Sequence, residues 1–300
     1  MIEKERSIYK VNLFILLTIV TSIIYQILPL KLGEGFYQYI CFLLPSAIYL
    51  FINKKNIIET LNIKPLKLKN IPYLIMLYIF LFPFKGTIIY IYTALFGDKL
   101  PNVIVESLAS NPSLLENLFL TVLTPIICEE VIMRGIVLDG YRKKSIHIVA
   151  IMNGLIFGML HMNSFQFFHT FFTGVVLTYV VYITGSIFSS MIIHGINNGI
   201  AVFSEYFSRS KEVLEPVNEE TKTALITSFS GFLIYAGVLL ICGFIIYKII
   251  KKLIKINNFE YFRYTISRSD ERIFNLPLIL TIILFSIVSL LIILSVNLAS

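Results

Sequence analysis

The chain has 300 residues; 57% are hydrophobic, 14% are charged, and 25 Lys and Arg against 18 Asp and Glu give a formal net charge of +7. A soluble globular protein is near half apolar and a quarter charged, so this chain has too little polar surface to coat a water-soluble body. The same figures exclude intrinsic disorder, and 15 Gly with three scattered Cys exclude collagen-like and disulfide-scaffold classes.

Long apolar runs without strand-like alternation predict membrane-crossing helices rather than a barrel. In chain order they cover 11–30, 36–52, 71–96, 114–138, 146–162, 165–183, 186–204, 224–247 and 276–298. The expected fold class is all-α, a polytopic transmembrane bundle of about nine spans. The first run is too long, and lacks the small-residue site, for a cleaved signal. Positive charge gathers on one side of this count. Lys4, Arg6 and Lys10 precede the first run, Lys54 to Lys69 follow the second, Arg142 to Lys144 follow the fourth, and Lys248 to Arg272 follow the eighth. That pattern places the N-terminus in the cytoplasm and the C-terminus outside, in a multi-pass protein of the cell membrane. The excess charge therefore reads as topology, and no nucleic acid is expected as a partner. Residues 257–275, with aromatic and Arg side chains interleaved, suit either an interfacial segment or a solvated loop. Cys41, Cys128 and Cys242 stand alone in apolar surroundings as packing thiols.

Ionisable groups inside spans are costly and default to functional candidates. The fourth run holds Glu129, Glu130 and Arg134, the fifth His161, the sixth His169, the seventh His194, Asn197 and Asn198, and the third Lys85. On a helix Glu130 and Arg134 are four apart and share a face, so they neutralise each other. Glu129 points about 100° away from Glu130 and has Met133 four residues on, which leaves one carboxylate paired and the other free. A free carboxylate facing a cavity suits a general base. Asn153, Phe157 and His161 form one stripe, and Ser186, Ser190, His194 and Asn198 form another. At 1.5 Å per residue, Glu129 and His194 lie about 12–13 Å from the cytoplasmic ends of their runs and His161 about 22 Å, so His161 looks deeper.

Glu129-Glu130-x-x-x-Arg134, Phe157-x-x-x-His161 and His194-x-x-x-Asn198, in that order on consecutive polar helices, resemble the CPBP family. These are the CAAX-protease and bacteriocin-processing membrane proteins, also called Abi, which are related to Rce1-like prenyl-protein endopeptidases. The resemblance covers roughly 114–204 and divides the chain into N-terminal helices (1–113), an Rce1-like core (114–204) and C-terminal helices with a basic cytoplasmic loop (205–300). It implies hydrolysis of a peptide bond inside the membrane. Glu129 and His161 would activate water, His194 and Asn198 would stabilise the oxyanion, and Glu130 and Arg134 would give structural support. Asn amide and imidazole N–H groups are donors of the kind an oxyanion needs. Two His and one Glu are also a catalytic zinc set, so His161, His194 and Glu129 are the ligands if Zn is present, with Glu130 as base. The metal-free reading is favoured, because there is no HExxH pairing and Asn198 is a poor zinc ligand. HExxH, GxSG and intramembrane Asp-pair proteases are excluded by the absence of their motifs.

The expected partners are the lipid bilayer and a peptide or protein tail at the inner leaflet. An Ile-, Asn- and Lys-heavy composition suggests a low-GC bacterial source. Prenylated CAAX substrates are not expected there, and by family analogy processing of a bacteriocin, pheromone or leader peptide, or self-immunity, fits better. The rivals are a catalytically silent scaffold, regulator or immunity protein with the same fold, and a transporter, for which inverted repeats are missing. His169 reads as an interhelical hydrogen-bonder, as do Asn153 and Asn197. Lys85, beside Pro83, is expected to snorkel outward or to pair with a carboxylate such as Glu106.

Overall fold

The structure is a computed structural model and describes residues 7–27, 33–108, 113–209, 229–259 and 270–298. The regular elements among these residues are helices. Helix α1 (Ser7–Ile27) starts where Glu271 accepts hydrogen bonds from the backbone N–H groups of Ile8, at 3.1 Å, and Tyr9, at 2.7 Å. A carboxylate there satisfies two of the donors a helix start leaves open. A second rod joins α2 (Gly33–Gln38), a π turn (Tyr39–Leu43) and α3 (Leu44–Ile52). Short α4 (Ile57–Thr60) and a 3₁₀ turn (Leu68–Asn70) lead into α5 (Ile71–Phe96), which has Pro72 in its first turn, where the missing N–H costs nothing. Next is α6 (Lys99–Leu108), in a stretch expected to be a loop.

One continuous rod then carries α7 (Leu114–Asn117), a π segment (Leu118–Leu123), α8 (Thr124–Glu130), a second π segment (Val131–Val137) and α9 (Leu138–Tyr141). Helices α10 (Ile146–Leu160), α11 (Ser164–Thr184), α12 (Phe188–Arg209), α13 (Phe229–Asn257) and α14 (Leu276–Leu298) complete the described chain. Gly185, at φ 68°, closes α11 in the left-handed conformation that glycine adopts without strain.

The helical rods thus fall near the nine expected runs. Among the described residues five helical stretches are long and apolar enough to cross a membrane: Ser7–Ile27, Leu68–Phe96, Ser164–Thr184, Gly231–Asn257 and Leu276–Leu298. Phe36–Ile52 and Ile146–Leu160 are apolar but shorter. The rod from α7 to α9 and helix α12 carry the polar groups of the candidate site, which keeps them off that list. The basic stretch from Lys248 is helical as far as Asn257 rather than a loop. Lys248 lies over the Phe244 ring at 5.0 Å and Lys251 over the Tyr247 ring at 4.8 Å. Pairs four residues apart let the lysine stems cover aromatic surface and carry the helix onward. Of the 257–275 segment, residues 260–269 lie outside the described residues.

The closest crossing joins α10 and α11. A Cβ on Gly174 would sit 2.9 Å from the Gly154 Cα and 3.2 Å from a Phe157 ring carbon. Two glycines meeting there let the backbones touch, the small-residue packing that helices use where lipid supplies no hydrophobic drive. The turn between the two helices is fixed by Asn163, whose Oδ1 accepts from the Gln166 N–H at 2.8 Å while its Nδ2 donates to the His161 carbonyl at 2.7 Å.

Candidate active site

The rod from α7 to α9 supplies the carboxylates. The switch from α8 to a π segment follows Glu130 directly. A π segment widens the turn and re-aims the residues beside it. Two of its carbonyls receive side chains from neighbouring elements: Asn153 Nδ2 donates to the Met133 carbonyl at 2.6 Å and Asn62 Nδ2 to the Arg134 carbonyl at 3.0 Å. Asn153 is therefore an interhelical tie between α10 and this rod.

Glu130 is fully buried and accepts three hydrogen bonds. Arg134 Nη1 donates to its Oε1 at 2.9 Å, His194 Nδ1 to the same oxygen at 2.8 Å, and Ser190 Oγ to its Oε2 at 2.5 Å. Arg134, also fully buried, reaches the Gly174 carbonyl at 3.5 Å and lies over the Phe157 ring at 4.7 Å. Desolvating two charges costs several kcal/mol per ion, and such a pair survives only with good geometry and further hydrogen bonds; both are present here.

Glu129 has a different environment. Its side chain is 13% exposed and faces the His194 ring, with Nε2 3.7 Å from Oε2. That gap is too long for a direct hydrogen bond. His194 thus bridges the two carboxylates, bonded to Glu130 and facing Glu129. This bond to Glu130 is not visible in the sequence spacing.

The ring nitrogens can be assigned from their partners. A carbonyl only accepts, so His161 Nδ1, 2.9 Å from the Phe157 carbonyl, carries its proton. In the neutral ring His161 Nε2 is then an acceptor. Phe157 is the common neighbour of the site: its ring centroid is 5.1 Å from that of His161 and 6.1 Å from that of His194, both edge-on. His161 makes no hydrogen bond or ion pair with Glu129 or His194 among the described residues.

Asn198 is placed by a proline. Pro125 has no N–H, so the carbonyl four residues earlier, on Thr121, lacks its usual helical donor. Asn198 Nδ2 donates to that carbonyl at 3.0 Å, which ties α12 to the π segment before α8. Its Oδ1 accepts from Asn197 Nδ2 at 2.9 Å, and Asn197 Oδ1 accepts from Lys85 Nζ at 2.9 Å. Lys85 therefore turns inward to α12. It neither snorkels nor meets a carboxylate within ion-pair distance among the described residues, and the Glu106 side chain lies outside them. The expectation for His169 is also corrected. Its imidazole is buried, Nδ1 has no hydrogen-bond partner among the described residues, and the ring packs edge-on to Phe165 at 5.7 Å instead of bonding across helices.

Sequence reading passed over the roles of Asn62, Thr121 and Phe157. Pro125 was the available signal for Thr121, because a proline inside a helix names the carbonyl it leaves open.

The zinc set fails its geometric test. Among the described residues no three His, Cys, Asp or Glu side chains are arranged to hold a metal ion. His194 Nδ1 is committed to Glu130, and among the described residues His161 makes no direct hydrogen bond or ion pair with Glu129.

Residues 111–200 match a family model described as Type II CAAX prenyl endopeptidase Rce1-like. The match contains Glu129, Glu130, Arg134, Phe157, His161, His194 and Asn198. No curated protein and no solved structure gives a significant match to the chain.

Proposed function

We propose that this chain, which carries an Rce1-like domain of the type II CAAX prenyl endopeptidase family over residues 111–200, is an intramembrane endopeptidase acting on a membrane-associated peptide or protein tail. The observation that carries the reading is the division of labour between adjacent carboxylates. Glu130 is locked by Arg134, Ser190 and His194, while the Glu129 side chain makes no hydrogen bond among the described residues and faces His194 Nε2 across 3.7 Å.

In the proposed reaction a water is held between Glu129 and the Nε2 acceptor of His161. Glu129 takes a proton as the water oxygen bonds to the scissile carbonyl carbon. The carbonyl electrons move to the oxygen, which becomes the oxyanion. Asn198 has one amide hydrogen left after its bond to Thr121. Because His194 Nδ1 already donates to Glu130, a second donor at Nε2, facing the oxyanion, requires both ring nitrogens to carry protons. Collapse breaks the C–N bond, and the proton on Glu129 passes to the leaving amine. General-base catalysis contributes about 10²–10⁴-fold, and one oxyanion donor about 10²–10³-fold. No step requires a metal-bound water. The nine rods are proposed to cross the membrane, with the N-terminus and the basic end of α13 on the cytoplasmic side. The bonded polar faces of α7–α9 and α12 turn inward, so their helices need not meet the hydropathy of a lone span.

The test compares released peptides and protein termini in membranes of cells carrying wild type or Glu129→Gln at matched protein levels. Termini lost in Glu129→Gln support the protease and name its substrate. An unchanged set of termini sinks the reading and favours a silent scaffold.

A further inference from the structure

A polar chain runs from the middle of α5 to the candidate active site. Lys85 lies fourteen residues beyond Ile71, about 21 Å along a helix apolar enough to cross a membrane. A lysine at that depth is costly to insert, so a function is its default reading. Its Nζ donates to Asn197 Oδ1 at 2.9 Å, Asn197 Nδ2 donates to Asn198 Oδ1 at 2.9 Å, and Asn198 Nδ2 donates to the Thr121 carbonyl at 3.0 Å. The two ends agree on direction. A lysine ammonium only donates and a carbonyl only accepts, so both amides between them face the same way. Neighbouring side chains on a helix point about 100° apart, so the bond from Asn197 to Asn198 is not a product of helix geometry. It needs Asn197 held from outside α12, and Lys85 holds it.

We propose that Lys85 is a positioning residue of the cleavage reaction: through Asn197 it keeps the Asn198 amide turned so that Nδ2, and not Oδ1, serves the oxyanion. This rests on the peptidase reading above. Asn198 Nδ2 spends one hydrogen on Thr121 and has one left. The opposite orientation would set an acceptor against the Thr121 carbonyl and offer an acceptor to the oxyanion. The ammonium also strengthens the donor it orients. Each bond in such a chain polarises the next, so the remaining Asn198 N–H is a better donor than that of an isolated amide.

The test pairs a spectrum with a rate. Whole protein in detergent micelles, labelled with nitrogen-15 asparagine, gives side-chain amide signals, and the Asn198 pair is the one missing in Asn198→Ala. Lys85→Met should move that pair. Asn197→Ala breaks the same chain, should also move it, and serves if Lys85→Met does not fold. Lys85→Arg, which also only donates, should leave it in place. In cleavage of the substrate found with Glu129→Gln, Lys85→Met should lower kcat about 10–100-fold at unchanged KM, and Lys85→Arg should keep most of the activity. In an Asn198→Ala background Lys85→Met should have no further effect on kcat, because the group it orients is gone. An Asn198 signal unmoved by the folded variants overturns the proposal whether or not the chain cleaves anything. A loss from Lys85→Met that multiplies in full with that of Asn198→Ala also overturns it, since Lys85 then acts elsewhere. Unchanged termini in Glu129→Gln sink the peptidase and the catalytic use of the chain with it, while the amide signal still reports whether Lys85 sets Asn198.

Discussion

Around Glu130, each polar atom of the carboxylate has a partner on another turn or helix, and the neighbouring backbones approach as closely as glycine permits. On α14 the opposite holds: only 11% of its most apolar stretch is buried, and Leu290 and Leu291 are more than half exposed. The two regions answer different solvents. Lipid accepts any apolar side chain of roughly the right length, so the outer helices are specified by composition. The interior must satisfy charges where no water can, so it is specified by individual atoms.

The sharpest way to break this contrast is to remove one half of the buried pair. Arg134→Met leaves Glu130 buried without its counter-charge and should cost about 3–5 kcal/mol. Thermal unfolding in detergent, or protein level in the membrane, would show the loss, and an unchanged transition would mean that the pair is dispensable. Next comes Asn198→Ala, expected to lower the rate of cleavage of the substrate found in the Glu129→Gln comparison by about 10²–10³-fold. A single-turnover assay reads it, and a change in substrate affinity alone would remove Asn198 from the oxyanion role. Gly174→Ala brings a methyl group against the Gly154 backbone and Phe157, an overpacking worth about 1–3 kcal/mol. Its unfolding midpoint should fall, and no fall would mean that α10 and α11 have slack at their crossing. At the small end, Leu291→Ala on the lipid face should shift stability by no more than about 0.5 kcal/mol. A loss comparable to that of Gly174→Ala would show that α14 packs against something specific.

Much of the site was legible because helical spacing is a local property. Four-residue separation was enough to pair Glu130 with Arg134 and to separate Glu129 from them, and it put Ser190, His194 and Asn198 on one face of α12. Composition and periodicity also fixed the all-helical class and the approximate place of each rod. The helical end of α13 was less legible, since its lysines read as loop unless their stems are seen to cover Phe244 and Tyr247.

Contacts between distant segments were decided by tertiary structure. Lys85 and Asn197 are 112 residues apart, and nothing along either helix tells that one donates to the other. The bond from His194 to Glu130 spans 64 residues and sets an oxyanion candidate between two carboxylates. His169 illustrates the converse, a polar residue whose spacing suggested a partner and whose buried ring meets Phe165 instead. The sequence by itself determined which faces are polar, because a helix repeats every 3.6 residues whatever surrounds it. Only the folded chain decided which polar face meets which, because that depends on how closely glycine lets α10 and α11 approach and on the carbonyl that Pro125 leaves open for Asn198.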